Sequence, residues 1–435
     1  MTGPAICHAL HRVTKNPIAR HMTGTMAPTP ALKLRWLMIS FAFAATVINY
    51  LDRQVLSVVA ASSDFKAAVP LSEAGYGYIA STFMLAYAIS NGLSGPFIDR
   101  VGTRIGYACC MAWWSVAGML HAFARGPLSL GGFRFLLGAG EAGNWPAAAK
   151  LVTEWFPVRE RALASGIFNS GASLGSVVSP LIIVWLVAQW GWRSAFVSMG
   201  GLGLLWVAGW WFACTAPKNL PAERPVPTVP TLKLLRTRFV LGFTLSKVFM
   251  DPVWYFFVFW FPKYLAEVHH FSLKQIGWKA WMPYFTAVLG NLAGGLLTGW
   301  LMRRGLAVPA ARMSSTAGFA LLMVSTIPAI LTHNAWLAIA LISVTTFGYA
   351  GYTANTLAFP ADVFPKEAVA SVWGLASMGS GFGGMVFMAL SGWLIGHFGY
   401  TPVFIGYGIL PLLALVCLLF LVQDELNPIK TGSCQ

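Results

Sequence analysis

Six charged residues stand inside long apolar stretches of this sequence, and their types suggest anion and proton chemistry. They are Asp52, Arg53, Arg134, Glu141, Lys247 and Asp251. A charged side chain at the centre of a bilayer costs at least about 2.5–3.5 kcal/mol, so it is retained where it is paired or faces water. In a water-filled cavity an arginine or lysine can hold an anion, and a carboxyl group can carry a proton because desolvation disfavours its charged form. The alternative is that these residues are ion pairs that only hold helices together.

The spacing of the charges indicates which of them share a helix face. Arg134 and Glu141 are seven residues apart, about two helical turns, and therefore lie on one face. Lys247 and Asp251 are four residues apart and can pair directly. Pro252 removes a backbone hydrogen bond beside Asp251, so a kink is expected there.

Five uncharged polar or aromatic residues in the apolar stretches are weaker candidates for binding. Trp254 and Tyr255 extend the face of the preceding lysine–aspartate pair, and Trp254 could stack on a sugar ring. Tyr87, Asn169 and Asn355 could read hydroxyl groups or could equally satisfy a neighbouring helix.

Composition shows what must position these residues. The chain has 435 residues, of which 57% are hydrophobic and 10% charged, with a mean hydropathy of +0.66. So few charges cannot coat a soluble protein of this size. About 20 apolar residues are needed for one span, and the apolar runs predict an all-α membrane protein with twelve transmembrane helices.

A proline-rich basic segment divides these twelve spans into two pseudo-symmetric groups of six. The predicted parts are a disordered cytoplasmic tail over 1–35, a first half over 36–214, a cytoplasmic linker over 215–239, a second half over 240–422 and a cytoplasmic tail over 423–435. Two such halves are typical of transporters, whose sites lie between the repeats near the middle of the membrane.

Lysine and arginine are distributed unequally between the two sides of the predicted bundle. Nineteen fall on the side of the N-terminus and the linker, whereas six fall on the opposite side, namely Lys66, Arg125, Arg193, Lys263, Lys274 and Lys279. Cytoplasmic loops collect these residues, so both termini are predicted to be cytoplasmic and the protein is placed in the inner membrane. The same rule explains the net charge of +15 without a nucleic-acid partner.

The sequence lacks the common motifs of enzymes and metal sites. The six cysteines have neither CxxC nor Cys/His metal spacing, and the sequence lacks HExxH, GxSxG and P-loop patterns. We therefore expect neither an enzyme nor a cofactor or metal, and an intramembrane enzyme is the weakest alternative.

The segment from Gly95 to Arg104, GPFIDRVGTR, resembles the GxxxDRxGxR signature of the major facilitator superfamily and lies between the second and third spans, as in that family. The resemblance implies that Asp99, Arg100 and Arg104 form a charge network that locks one conformation on the cytoplasmic side. The corresponding segment of the second half, Gly299–Gly305, is degenerate.

A narrower resemblance concerns the anion:cation symporter family and its hexuronate branch. INYLDR at 48–53 is similar to the NYxDR start of that family. Further matching segments are Arg134–Pro146, Glu154–Arg161, Gly166–Gly171, Asp251–Tyr264 and Ala354–Pro365. The resemblance covers about 36–422, and it departs from many hexuronate relatives at Tyr349–Tyr352, where those have a histidine-containing stretch.

This resemblance implies the import of a sugar acid together with protons. Arg53 would bind the substrate carboxylate, Asp52 and Glu141 would take the protons, and Arg134 would set the state of Glu141. Lys247 would be a second contact to an anion or a hydroxyl.

The remaining roles implied by the resemblance concern the sugar itself. The predicted sugar contacts are Asp251 as partner of the lysine, and Tyr87, Asn169, Trp254, Tyr255 and Asn355 toward hydroxyl groups.

The sequence therefore predicts a proton-coupled symporter for a sugar-acid monocarboxylate, most simply galacturonate or glucuronate, acting as a monomer in the lipid bilayer. One alternative keeps the class and changes the ligand to an aldonate such as galactonate, to glucarate or to an aromatic carboxylate. A second alternative is a sensor on the same fold that does not transport.

Overall fold

The computed structural model describes residues 30–156, 158–214, 237–364 and 366–422. Nearly all of them are helical, and none of these described residues forms a β-strand. Most of the predicted N-terminal tail, most of the predicted linker and the predicted C-terminal tail lie outside the described residues. The limits proposed for those segments stay predictions.

The first half contains eight α-helices within residues 30–156 and 158–214. They are α1 (Pro30–Val59), α2 (Ser63–Ala68), α3 (Glu73–Val101), α4 (Thr103–Leu120), α5 (Pro127–Glu141), α6 (Asn144–Trp155), α7 (Val158–Trp190) and α8 (Trp192–Ala213).

The second half contains nine α-helices within the part of the chain that is described. They are α9 (Arg238–Val268), α10 (Leu273–Lys279), α11 (Met282–Arg303), α12 (Val308–Leu322), α13 (Thr326–Leu331), α14 (Ala335–Thr356), α15 (Phe359–Val363), α16 (Lys366–Phe398) and α17 (Thr401–Leu421). Each of the twelve predicted spans falls on one long helix or on two consecutive ones.

Eight described helical segments are long and apolar enough to cross a membrane by length and composition alone. The 31-residue helix α9 does not meet that level and carries Lys247 and Asp251. The 15-residue helix α5 is shorter than one span and carries Arg134 and Glu141. These two helices therefore hold four of the six charges singled out from the sequence.

Local signals set the ends of α3, the helix that leads into the charged loop. The Ser72 side chain caps its start by accepting a hydrogen bond from the Gly75 N–H at 3.0 Å. Its end is Gly102, whose φ of 84° is a conformation that residues with a Cβ adopt at a cost. The chain can turn there directly into α4.

The two halves meet most extensively where α3 packs against α16. At this crossing a Cβ on Gly77 would lie 2.6 Å from the Cα atom of Gly392. The two backbones are therefore in direct contact. The halves also touch through α1 with α9, and through α7 with α10 and α11.

Ion pairs between the halves form a cluster on the predicted external side. Lys263 at the end of α9 binds Glu73 at the start of α3 at 2.5 Å, and also Glu267 on its own helix at 2.6 Å. Lys66 of α2 binds Glu267 at 3.1 Å. We call these four residues the external latch, since it fastens the first half to the second.

On the predicted cytoplasmic side, the ion pairs among described residues stay within one half. They are Arg35–Glu160 and Lys150–Asp99 in the first half and Arg312–Asp362 in the second half. Among the described residues, the ion pairs that join the two halves therefore lie on the predicted external side.

We expect Gly77→Ala to lower the unfolding temperature in detergent by several degrees. The new methyl group would overlap backbone atoms of α16, and overpacking of this kind costs about 1–3 kcal/mol. The control is Gly92→Ala in the same helix, where a Cβ would meet no atom within 4 Å. That control should keep or raise the stability, because alanine favours helix over glycine by about 1 kcal/mol. Equal effects of the two substitutions would contradict the backbone contact.

We expect the double substitution Glu73→Gln and Glu267→Gln to favour states opened on the external side. Losing these partly exposed ion pairs destabilises the closed state by about 1 kcal/mol, which shifts the equilibrium between closed and open states roughly fivefold. Spin labels on cysteines introduced at the exposed positions Ala67 and Lys274, with the six native cysteines replaced by serine, would report a larger share of long distances.

The matched control for this measurement is Asp64→Asn. It removes a negative charge on the same side, at an exposed residue whose described hydrogen bond is to its neighbour Ser63. Identical distance distributions for the double variant and this control would show that the latch does not hold the halves together.

Candidate functional site

A buried ion pair joins α1 to α5 in the first half. Arg53 Nε donates to Glu141 Oε2 at 2.5 Å, and the two residues are only 3% and 0% exposed. The Nη2 group of the same guanidinium is buried and has no hydrogen-bond partner among the described residues. An arginine held by one edge and unpartnered at another is suited to accept a further anion.

Aromatic rings surround the Arg53 guanidinium. Its Cζ atom lies 4.7 Å from the ring centre of Tyr87, 5.2 Å from that of Tyr50 and 5.4 Å from that of Phe83. Such contacts favour the cation and exclude water from it. The structure thus places Tyr87, predicted from the sequence, beside the predicted anion-binding residue.

Arg134 lies in the same cluster and is 1% exposed. Its Nη2 donates to the backbone carbonyl oxygen of Arg53 at 3.3 Å, and its Nη1 has no hydrogen-bond partner among the described residues. Arg134 interacts electrostatically with Glu141 and Asp52. It therefore adds a positive charge to the cluster, and its described hydrogen bond is to a backbone carbonyl and not to either carboxylate.

Asp52 points to a different side of α1 from Arg53. It is 3% exposed, and a Cβ on Gly118 of α4 would lie 3.5 Å from Asp52 Oδ1. It also interacts electrostatically with Glu141. The first half thus encloses two arginines and two carboxylates in one buried network.

The second half has a charged pair of its own on α9. Lys247 Nζ lies 3.3 Å from Asp251 Oδ1, which confirms the pairing predicted from their spacing. Tyr349 of α14 also donates to Asp251 Oδ1, at 3.3 Å. The two charged residues are 4% and 7% exposed, and α9 continues past Pro252 to Val268.

Trp254 and Tyr255 follow this pair on α9. The Trp254 ring stacks on Tyr349 with 5.3 Å between centres, so that one of its faces is already covered. The Tyr255 hydroxyl shares a hydrogen bond with Ser380 of α16 at 2.9 Å. A sugar could therefore use only the other face of the tryptophan.

Tyr255 also connects the two charged groups. It interacts electrostatically with Asp251 on its own helix and with Arg53 of the first half. Arg53 and Glu141 are buried, and Phe83 beside the guanidinium contacts Phe259 of the second half with 5.7 Å between ring centres. The structure therefore brings the predicted anion-binding residue and the second-half pair to one interface.

The two asparagines predicted as sugar contacts differ from each other. Asn169 on α7 is exposed. Asn355 accepts a hydrogen bond from Thr298 at 2.5 Å and donates to Ser315 at 3.0 Å and to the Gly351 carbonyl at 2.9 Å. Its amide is engaged in packing of the second half, so contact with a sugar would require exchange of these bonds.

The residues of the predicted gate lie apart from this interface, at the α3–α4 turn. Asp99 pairs with Lys150 of α6 at 2.9 Å. Arg104 donates to the Trp211 carbonyl at 2.7 Å and thereby caps the end of α8, while Arg100 is exposed. The network ties helices of the first half together, and its role as a gate stays a prediction.

Several residues around the site were not singled out from the sequence. Asn49 lies beside Glu141 and is four residues before Arg53, so the helical spacing could have found it. Phe83 belongs to another helix and carries no signal in the sequence that distinguishes it from an ordinary core residue. Tyr349 stood out in the sequence only as part of the departure from the hexuronate pattern at Tyr349–Tyr352. Among the described residues no cluster of histidine, cysteine, aspartate or glutamate could hold a metal ion.

Comparison with known proteins gives consistent results. The family model for the Major Facilitator Superfamily matches residues 42–327 and 310–433. The "Hexuronate transporter" of Escherichia coli (strain K12) is 29% identical over 411 residues, which cover 90% of this chain and 95% of the relative. The "Probable galactarate/D-glucarate transporter GarP" of the same strain is 30% identical over 426 residues, covering 90% and 95%.

A further relative and a solved structure are also similar to this chain. The "Galacturonate transporter" of Dickeya chrysanthemi is 31% identical over 284 residues, covering 61% of this chain and 81% of the relative. A crystal structure of a bacterial homolog to the human lysosomal transporter Spinster, inward-facing and unoccupied, superposes with a TM-score of 0.71 at 19% identity, covering 93% of this chain and 98% of that one. That likeness shows the fold.

These matches, together with the eight described helical segments that are long and apolar enough to cross a membrane, establish a multi-pass membrane transport protein and not an enzyme. The chain belongs to the major facilitator superfamily.

Proposed function

We propose that this protein is a proton-coupled symporter that imports a sugar-acid monocarboxylate, a hexuronate such as galacturonate or glucuronate. The observation that carries the proposal is the buried Arg53, which is bound to Glu141 through Nε and has no partner at Nη2 within the described part of the chain. The relatives are named as transporters of hexuronates and of other sugar acids, which supports the substrate class.

Anion binding follows from the geometry of Arg53. A carboxylate matches the planar fork of a guanidinium and accepts two parallel hydrogen bonds from it. The surrounding rings of Tyr50, Phe83 and Tyr87 keep the site poor in water, where such a charge-assisted bond is strong. The position at the interface of the halves is where a carrier exposes its site alternately to either side.

Proton coupling follows from competition for the same guanidinium. When a substrate carboxylate takes over Arg53, Glu141 loses its partner in a buried site. An unpaired buried carboxylate is costly and takes up a proton instead. Anion binding and protonation of Glu141 therefore promote each other, as thermodynamic linkage requires. Asp52, which interacts with Glu141, is the second proton carrier.

The driving force depends on the number of protons. One proton with a monoanion moves no net charge. Two protons move one positive charge inward, so an inside-negative potential would assist at about 2.3 kcal/mol per 100 mV. We expect the protein to work as a monomer in the inner membrane with both termini in the cytoplasm, since the complete charged network lies within one chain.

The transport cycle uses the external latch and the gate. With the latch of Lys66, Glu73, Lys263 and Glu267 closed, substrate leaves toward the cytoplasm. Reopening to the outside breaks the latch, and the network around Asp99 would hold the opposite side closed in that state.

Two alternatives remain distinct from this proposal. A symporter for another organic anion, such as galactonate, glucarate or an aromatic carboxylate, would show its preference in uptake competition. A sensor that does not transport would bind a sugar acid without accumulating it in vesicles.

We expect Arg53→Ala to abolish binding of galacturonate and glucuronate, because the substrate carboxylate loses its countercharge. Arg53→Lys keeps the positive charge but lacks the planar guanidinium group, so this variant should bind the two sugar acids weakly. Titration calorimetry on purified protein would measure both. Arg125→Ala, at an exposed arginine outside the site, is the control. Unaltered affinity of Arg53→Ala would exclude the proposed role.

We expect Asp52→Asn and Glu141→Gln to spare exchange of substrate across the membrane while impairing uphill uptake driven by a pH gradient. The amides keep the size of the side chains but cannot take up and release a proton. Uptake of radiolabelled glucuronate into proteoliposomes, with and without an imposed gradient, separates the two activities. Persistence of uphill uptake in both variants would show that other groups carry the protons.

A further inference from the structure

The second half offers a charged pair whose charges cancel. Lys247 and Asp251 lie in the middle of α9, are almost fully buried and are bound to each other at 3.3 Å. Tyr349 adds a second donor to the same carboxylate oxygen. Lys247 Nζ also lies 5.5 Å from the ring centre of Trp373 on α16, an aromatic contact that supplies no further anion.

A row of tyrosines links this pair to Arg53. Tyr349 interacts electrostatically with Asp251, with Tyr255 and with Tyr50, whose ring lies 5.2 Å from the Arg53 guanidinium carbon. A substrate that places one end on Arg53 thus extends along phenol groups toward the lysine–aspartate pair. Phenols and a neutralised ion pair donate and accept hydrogen bonds, which suits hydroxyl groups and a sugar ring.

The two ends of the site therefore differ in charge. The Arg53 end has a guanidinium nitrogen, without a partner among the residues that the structure describes, for one carboxylate. At the other end the positive charge of Lys247 is already neutralised by its ion pair with Asp251. A second carboxylate brought to that end would encounter the Asp251 carboxylate, and like charges in a desolvated site repel strongly.

Sugar acids of the same length differ in the number of carboxylates. Galacturonate and galactarate share a six-carbon chain, but galactarate carries a second carboxylate at the end where galacturonate has its aldehyde carbon. Relatives named for both kinds of substrate match this chain at nearly the same identity, 29% and 30%, so overall similarity does not decide between the two.

We infer that Asp251 is a charge filter: by neutralising Lys247 at the far end of the site, it makes the carrier select sugar acids with one carboxylate over those with two. This inference rests on the proposed function and specifies its substrate class. Specificity here comes from an element that rejects the competitor rather than from added contacts to the preferred substrate.

The test is competition against binding of radiolabelled galacturonate to the purified full-length protein, with unlabelled galacturonate and galactarate. The measured quantity is the ratio of their half-inhibitory concentrations. Wild type should prefer galacturonate by at least about tenfold, which corresponds to about 1.4 kcal/mol. Asp251→Asn keeps the shape of the side chain and frees the charge of Lys247, so it should erase this preference or reverse it.

Two further variants keep the test decisive if Asp251→Asn does not fold. Lys247→Met leaves the Asp251 charge without its partner and should worsen relative galactarate binding by a further threefold or more. The double variant Lys247→Gln with Asp251→Asn carries no charge at either position. Without the lysine charge, its relative binding of galactarate should not increase.

The outcomes separate this inference from the proposed function. A wild-type protein that binds neither acid would overturn the proposed function. A wild-type protein that binds galacturonate, with a ratio unchanged in Asp251→Asn and in Lys247→Met, would overturn the charge filter alone. A wild-type preference for galactarate would also overturn it.

Discussion

The bond between Arg53 and Glu141 is the constraint on which the arrangement of the first half depends. A guanidinium and a carboxylate removed from water are stable only with a close partner, since each alone would carry a desolvation cost of several kcal/mol. The pair fixes α1 against α5, and its neighbours Asp52 and Arg134 keep the buried region balanced in charge. An arriving anion disturbs this balance, and a proton can restore it.

Much of this arrangement could be predicted from the sequence, for identifiable physical reasons. Helical periodicity is local, so the contact of Lys247 with Asp251 followed from their spacing of four residues. Hydropathy gave the spans, and the rarity of charge within them identified the residues of the network. These inferences require no knowledge of how distant helices pack.

Contacts between distant helices could not be predicted in this way. Arg53 and Glu141 are 88 positions apart, and no local pattern indicates that they meet. Lys263 and Glu73 resemble ordinary charges at the ends of spans, and only the packing of α9 beside α3 makes them a link between the halves. The engagement of Asn355 likewise depends on Thr298 and Ser315 from other helices, so its polar side chain alone could not separate packing from recognition.

The crossing of α3 and α16 at Gly77 and Gly392 has a consequence for how such carriers diversify. Because main chain meets main chain at this point, the contact between Gly77 and Gly392 does not depend on side chains that must change in step with the binding residues. Each half can acquire new substrate-binding residues while this glycine contact is kept. Substrate selectivity can therefore change through few substitutions while the packing of α3 against α16 is kept.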